Sequence, residues 1–282
     1  MFKKKIKNTI KSIVRYFFKS TRQKDVFLRM VFNLFERDPL LFAYNNNGIL
    51  NYENEIVSGE NFLISNILPK YIPTNKKALI FDVGANIGTY SSNLASIFSN
   101  STIYSFEPNI NTFNLLRKNV EKLNNIISIN IGLSDVKIES EIYTYLNDLN
   151  SEHASLYKEV FSDLHKDKSI TSVKIELERL DEFCNNYNID YIDFLKIDTE
   201  GNELDVLKGG IQMINEGRVK LIQFEFNEMN IISRVFLKDF YEVLKDYKIY
   251  RLSEKQLIPL YQYNSINEIF KFQNMLAIHN TL

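Results

Sequence analysis

At 282 residues the chain has room for one large α/β domain or two smaller ones, and 45% hydrophobic with 24% charged residues is the usage of a folded protein, which excludes disorder along the whole length. A single cysteine, Cys184, excludes an internal disulfide, and with only three histidines a Cys/His zinc site is excluded as well. The formal charge of −1 is unevenly spread: residues 1–24 hold nine bases and no acid, while the rest carries 25 bases against 35 acids, which argues against nucleic-acid binding by the body.

In the basic segment Phe2, Ile6, Ile10, Ile13, Val14, Phe17 and Phe18 recur at spacings of three and four, the pattern of a cationic amphipathic helix. A second helical pattern runs from Val26 to Phe35, ahead of a turn-rich stretch at Asn45–Gly48. Residues 1–70 are therefore expected as a helical N-terminal appendage, and residues 71–282 as the main domain. The basic helix either contacts the inner face of a membrane through residues 1–24 or packs its apolar face on the body or a second copy. No apolar run approaches the ~18 residues of a membrane span and no leader pattern is visible, so the expected location is cytoplasmic.

From Lys77 onward short apolar runs alternate with helical patterns: Ala78–Val83 then Gly88–Phe98, Thr102–Phe106 then Asn111–Leu123, and Ile126–Ile131. The alternation resumes with Tyr191–Ile197, Glu203–Ile214, Val219–Phe226 and Ser233–Leu244, and ends in strands at Lys248–Leu252 and Phe272–Ile278. This predicts parallel βαβ units forming a Rossmann-like sheet with helices on both faces. Residues 145–171 lack periodicity, contain His153 and His165, and are expected as a long functional loop.

Ligands of such sheets sit past the C-terminal strand ends, so the residues there carry the functional reading. The first strand exits into Asp82-Val83-Gly84-Ala85-Asn86-Ile87-Gly88, where Gly84 and Gly88 permit a tight turn and a close ligand. The spacing is not the G-x-G-x-x-G of a dinucleotide-binding loop, and Asp82 beside a phosphate would be unfavourable, whereas beside a cation it is favourable. Glu107 follows about 25 residues later, at the end of the second strand, where a carboxylate accepts ribose hydroxyls. Ser134 and Asp135 end the third strand and are candidates for contact with a base. The fourth delivers Asp198, Glu200 and Glu203, and the fifth Glu225. Glu107 and Glu203 each have a structural alternative as acids at a helix N-terminus.

Together FDVGANIGTY at 81–90, SFEPN at 105–109, NLLRKNV at 114–120, GLSD at 132–135, LKIDTEGNELDVLKGG at 195–210 and QFEFN at 223–227 resemble the FkbM family of S-adenosylmethionine-dependent methyltransferases. The resemblance covers about residues 76–280. It implies a seven-stranded methyltransferase sheet and O-methylation of a hydroxyl, most often of a sugar in glycan or natural-product biosynthesis. Carried over by position, Asp82, Gly84, Asn86, Gly88 and Glu107 would bind the cofactor, and Asp198 would lie between cofactor and acceptor. Asp198, Glu200, Glu225 and His153 are the candidate catalytic groups for taking the hydroxyl proton. A divalent ion held by the acids is an option without any recognised ligand spacing, so no metal ligand is assigned.

The expected acceptor is a small molecule or glycan. Alternatives are a lipid, natural-product or protein amine acceptor, and a non-catalytic membrane-associated scaffold that keeps the fold. The absence of a [DN]-P-P-[YF] tetrapeptide lowers the amine reading, and the missing dinucleotide fingerprint disfavours an NAD-dependent oxidoreductase. Oligomeric state is not legible.

Overall fold

A computed structural model describes residues 9, 12, 16–145, 154–160 and 170–282. Chain contacts divide it into two compact units, residues 1–46 and 47–282. In the first, helix α1 (Thr21–Leu34) begins at a capping box: Ser20 Oγ accepts from Gln23 N at 3.2 Å and Gln23 Oε1 accepts from Ser20 N at 3.1 Å. Helix α2 (Pro39–Asn46) starts with Pro39, and Asp38 Oδ1 accepts from the amides of Leu40 and Leu41. Neither helix buries a residue.

The second unit begins with α3, a continuous helix in three parts: Glu60–Phe62, the π-helical Leu63–Ile67, and Leu68–Tyr71. The βαβ units follow as β1 (Leu79–Val83), α4 (Thr89–Ile97), β2 (Thr102–Phe106), α5 (Ile110–Val120) and β3 (Ile126–Ile129). Then come β4 (Gly132–Ser134), β5 (Ile138–Tyr145), β6 (Ile170–Arg179), α6 (Leu180–Asn186), β7 (Ile192–Ile197), α7 (Glu203–Gly209) and α8 (Ile211–Asn215). The chain closes with β8 (Val219–Phe226), α9 (Met229–Ser233), α10 (Leu237–Val243), β9 (Tyr247–Ser253), β10 (Gln256–Pro259) and β11 (Gln273–His279).

The large sheet has the order β10-β9-β11-β8-β7-β1-β2-β3, with β8-β7-β1-β2-β3 parallel and β11 antiparallel to both neighbours. Helices on both faces make its central strands continuous apolar runs, and every residue of β7 is buried. Phe81, Phe106, Phe183, Phe224 and Phe240 form the core on one face; Leu63, Leu68, Ile80, Phe98 and Phe194 form the core on the other. The order in which successive strands are laid down reverses between β1 and β7, which places a crevice at their C-terminal ends.

Three features differ from the sequence reading. The sheet has eight strands rather than seven, because the β9-β10 hairpin adds an edge strand. The unit boundary lies at residue 46 rather than 70: Leu63 and Leu68 are fully buried against the sheet, so α3 is part of the main core. The expected loop at 145–171 is bounded by strands, since β5 and β6 pair antiparallel and form a second sheet, β4-β6-β5. Ser155, between them, bridges to Tyr143. His153, His165 and nearly all of the basic N-terminal helix lie outside the described residues. No helix among the described residues is long and apolar enough to cross a membrane.

Candidate active site

A cavity of about 870 Å³ opens at the C-terminal ends of β1, β2, β7 and β8. Gly84 sits on its wall with φ +77°, and a Cβ there would lie 1.7 Å from the Asp198 carbonyl oxygen. The first strand's exit can therefore touch the fourth's only through a glycine. Gly88 is left-handed at the start of α4, where a Cβ would press on Leu116 and Val120 of α5. Its requirement is helix packing, and it is not on the cavity wall.

Asp82 is sealed beneath the cavity at 0% exposure. Ser91 Oγ donates to its Oδ2 at 2.6 Å, and Lys196 Nζ lies 3.4 Å from its Oδ1. The cation that Asp82 meets is thus supplied by the chain itself and not by a ligand. Lys196, buried within β7, also reaches Asp198 Oδ2 at 3.1 Å and stands 5.1 Å from the centre of the Tyr90 ring. Burial alone would lower the Lys196 ammonium, but Asp198, Asp82 and Glu60 outweigh it and hold it above its ordinary value.

Glu107 faces the cavity with both oxygens anchored: Oε2 accepts from Asn86 N at 3.0 Å and Oε1 from Asn109 N at 2.9 Å. Asn86 takes φ +48°, a conformation that asparagine tolerates better than most residues. Burial pushes the Glu107 carboxyl up to about 7, against the pull of the two amides. Each oxygen keeps a further lone pair, so a fixed hydrogen-bond acceptor stands on the wall.

Asp198, Glu200 and Glu225 line the same cavity. Glu225 is 8% exposed; its Oε2 accepts from Asn227 Nδ2 at 2.9 Å, while its Oε1 has no hydrogen-bond partner. Burial, reinforced by Asp198, Glu200, Glu203 and Glu60, raises its carboxyl well above the usual range. Sequence reasoning assigns no role to Glu60, yet α3 carries it onto the wall, where it accepts from Ser58 Oγ and Gln223 Nε2. Tyr90 OH in turn donates to Gln223 Oε1 at 2.5 Å. A lysine inside an apolar β7 run is a signal that could have pointed to Lys196; nothing local marks Glu60.

Other expected residues lie off the wall. Glu203 Oε1 accepts from Thr199 N, Thr199 Oγ1 and Gly201 N at 2.9, 3.2 and 3.0 Å, so it shapes the loop that presents Asp198 and Glu200. Ser134 and Asp135 are displaced from the cavity by the close approach of α7, whose Gly209 leaves no room for a Cβ beside the Ser134 carbonyl. The neighbouring Gly132 and Leu133 line it instead. Among the described residues no group of three or more His, Cys, Asp or Glu is arranged to hold a metal ion.

The methyltransferase FkbM domain family matches residues 82–248, from the buried aspartate of β1 into β9. The chain belongs to the FkbM methyltransferase family. Among curated proteins similar to this FkbM chain, methyltransferase 1 of Beauveria bassiana is 26% identical over 150 residues, covering 49% of this chain and 60% of that protein. The hexuronic acid methyltransferase AglP of Haloferax volcanii is 28% identical over 141 residues, 49% of this chain and 53% of AglP. The 2-O-methyltransferase NoeI of Sinorhizobium fredii is 21% identical over 157 residues, 54% of this chain and 65% of NoeI. The chain therefore spans less than two thirds of the length of each of these relatives.

Proposed function

We propose that this FkbM methyltransferase uses S-adenosylmethionine to O-methylate a sugar hydroxyl. The observation that carries the reading is the fixed Glu107 carboxyl on a cavity whose opposite wall presents Asp198 and Glu225. The names of the relatives AglP and NoeI, a hexuronic acid methyltransferase and a 2-O-methyltransferase, support a sugar acceptor.

S-adenosylmethionine supplies, when bound, an electrophilic methyl on a sulfonium whose charge disappears on transfer. The protein's work is then to hold two reactants in line and to accept a proton. Glu107 would hold the ribose hydroxyls, and Gly84–Asn86, on the same cavity wall, would border the nucleoside. Lys196 holds Asp198 through Oδ2, which leaves Oδ1 without a hydrogen-bond partner. Asp198, with that oxygen free toward the cavity, would accept the hydroxyl proton as the methyl group is transferred.

Calorimetric titration with S-adenosylhomocysteine, beside NADH and repeated on Glu107→Ala, tests the cofactor site. Micromolar nucleoside binding, lost in the variant and absent for NADH, is expected. A folded chain that binds neither would favour the non-catalytic scaffold.

The first unit supports peripheral contact with anionic lipid on the cytoplasmic leaflet. Phe27, Met30, Leu34, Phe35, Leu41 and Phe42 are all exposed on α1, α2 and their junction, directly after the stretch of nine bases. Apolar side chains beside basic ones suit the headgroup boundary, with each base worth about 1 kcal/mol there. The full chain is expected to co-sediment with phosphatidylglycerol vesicles at low salt and not with phosphatidylcholine vesicles. Equal recovery with both would refute the contact.

A further inference from the structure

The charges on the cavity wall are unbalanced. Seven carboxylate side chains line it against two lysines, and no arginine or histidine among the described residues joins them. Both lysines are already engaged: Lys196 lies between Asp82 and Asp198, and Lys271 Nζ is 3.9 Å from Glu228 Oε1. Among the described residues no unpaired wall cation is therefore left to receive an anionic sugar. Glu225 stands out on the other side of the balance. It is more than nine-tenths buried, it lines the cavity, and its Oε1 has no hydrogen-bond partner, while Asn227 fixes its other oxygen. That oxygen opens to the cavity, where a ligand donor can complete it, and the strongest complement is a charged donor. Glu60 and Asp198 line the same cavity, and both act on Glu225 as like charges.

We propose that the acceptor is an amino sugar whose protonated amine binds Glu225 Oε1, with the methylated hydroxyl beside it near Asp198. The proposal rests on the sugar O-methyltransferase reading and narrows it. Uronic acids and sugar phosphates are disfavoured by like charge, since no free cation among the described wall residues offsets their desolvation. The acceptor thus differs in charge from the hexuronic acid in the name of the relative AglP.

The test is calorimetry on the full-length chain saturated with S-adenosylhomocysteine, using three methyl glycosides: of glucosamine, of glucose and of glucuronic acid. The glucosaminide is expected to bind about tenfold or more tighter than the glucoside, with no binding of the glucuronide. Glu225→Gln should bring glucosaminide and glucoside to similar affinities. The wild-type ranking alone decides if that variant fails to fold. Glucuronide binding as tight as the glucosaminide, equal affinity for amine and neutral sugar, or no sugar binding to the loaded protein would each overturn the proposal while leaving the cofactor site intact. Failure of S-adenosylhomocysteine to bind would remove the underlying reading and this proposal with it.

Discussion

Lys196 Nζ lies 3.4 Å from Asp82 Oδ1 and 3.1 Å from Asp198 Oδ2, so one ammonium joins a sealed carboxylate to one on the cavity wall. Lys196→Met is expected to strand Asp82 as a buried charge and cost about 3–5 kcal/mol of stability. The readout is a lower urea midpoint. Adding Asp82→Asn should recover much of the loss, because the orphaned charge is then gone. A single variant as stable as the natural chain would show that the pair does not hold the strand ends together.

The raised Glu107 carboxyl is expected to make cofactor affinity depend on pH. Burial holds it at about 7, and an ionised carboxylate is the better acceptor of ribose hydroxyls. S-adenosylhomocysteine affinity is expected to rise by up to about tenfold between pH ~6 and ~8, with a proton released on binding. Titrations in buffers of different ionisation enthalpy measure both. Glu107→Gln should lose the slope, and a flat wild-type profile would contradict this role for the carboxyl.

Glu203 makes the fold itself sensitive to pH. Burial raises its carboxyl to about 7 despite amide donors that pull it down, so the folded value stands above the unfolded one. Its contribution is present in full below the ordinary carboxylate range and is lost as pH rises through about 7. This group alone is expected to remove about 1–3 kcal/mol of stability between pH ~5 and ~7.5. The three hydrogen bonds from Thr199 and Gly201 use Oε1, which glutamine retains, so Glu203→Gln should flatten that slope without dismantling the loop. Identical slopes in urea denaturation would exclude Glu203 as their source.

The two glycines of the first loop should respond unequally to alanine. At Gly84 the added Cβ meets the Asp198 carbonyl at 1.7 Å with φ at +77°, whereas at Gly88 it meets the movable ends of Leu116 and Val120. Gly84→Ala is expected to cost more than about 3 kcal/mol and to abolish cofactor binding; Gly88→Ala should cost less and retain it. Thermal unfolding and calorimetry together would rank them, and a reversed order would refute the packing roles assigned to each.

The parallel half of the fold is legible because its strands are buried on both faces and read as apolar runs. β5 and β6 are less so: in IESEIYTY and ITSVKIELER, apolar residues alternate with charged or hydroxyl ones, the mark of a half-buried strand, but a polar stretch lies between them. The site divides in the same way. Glu107 and Asp198 directly follow strands whose ends define the crevice, and Glu225 lies at the C-terminal end of another, so position alone marks them. Asp82 is legible as a charged residue at a strand end, but its partner is not, because only the long-range pairing of β1 with β7 sets Lys196 opposite it. Glu60 enters from a helix that no neighbouring motif ties to the sheet, and only tertiary packing brings it to the wall.

That packing bears on how the protein can be shortened. A fragment trimmed to the matched residues 82–248 would discard α3, and with it Glu60 and the leucines that seal one sheet face. It would also lose β11, the strand that bridges β8 and β9. A minimal catalytic piece therefore has to begin near Asn47 and run to the end of β11.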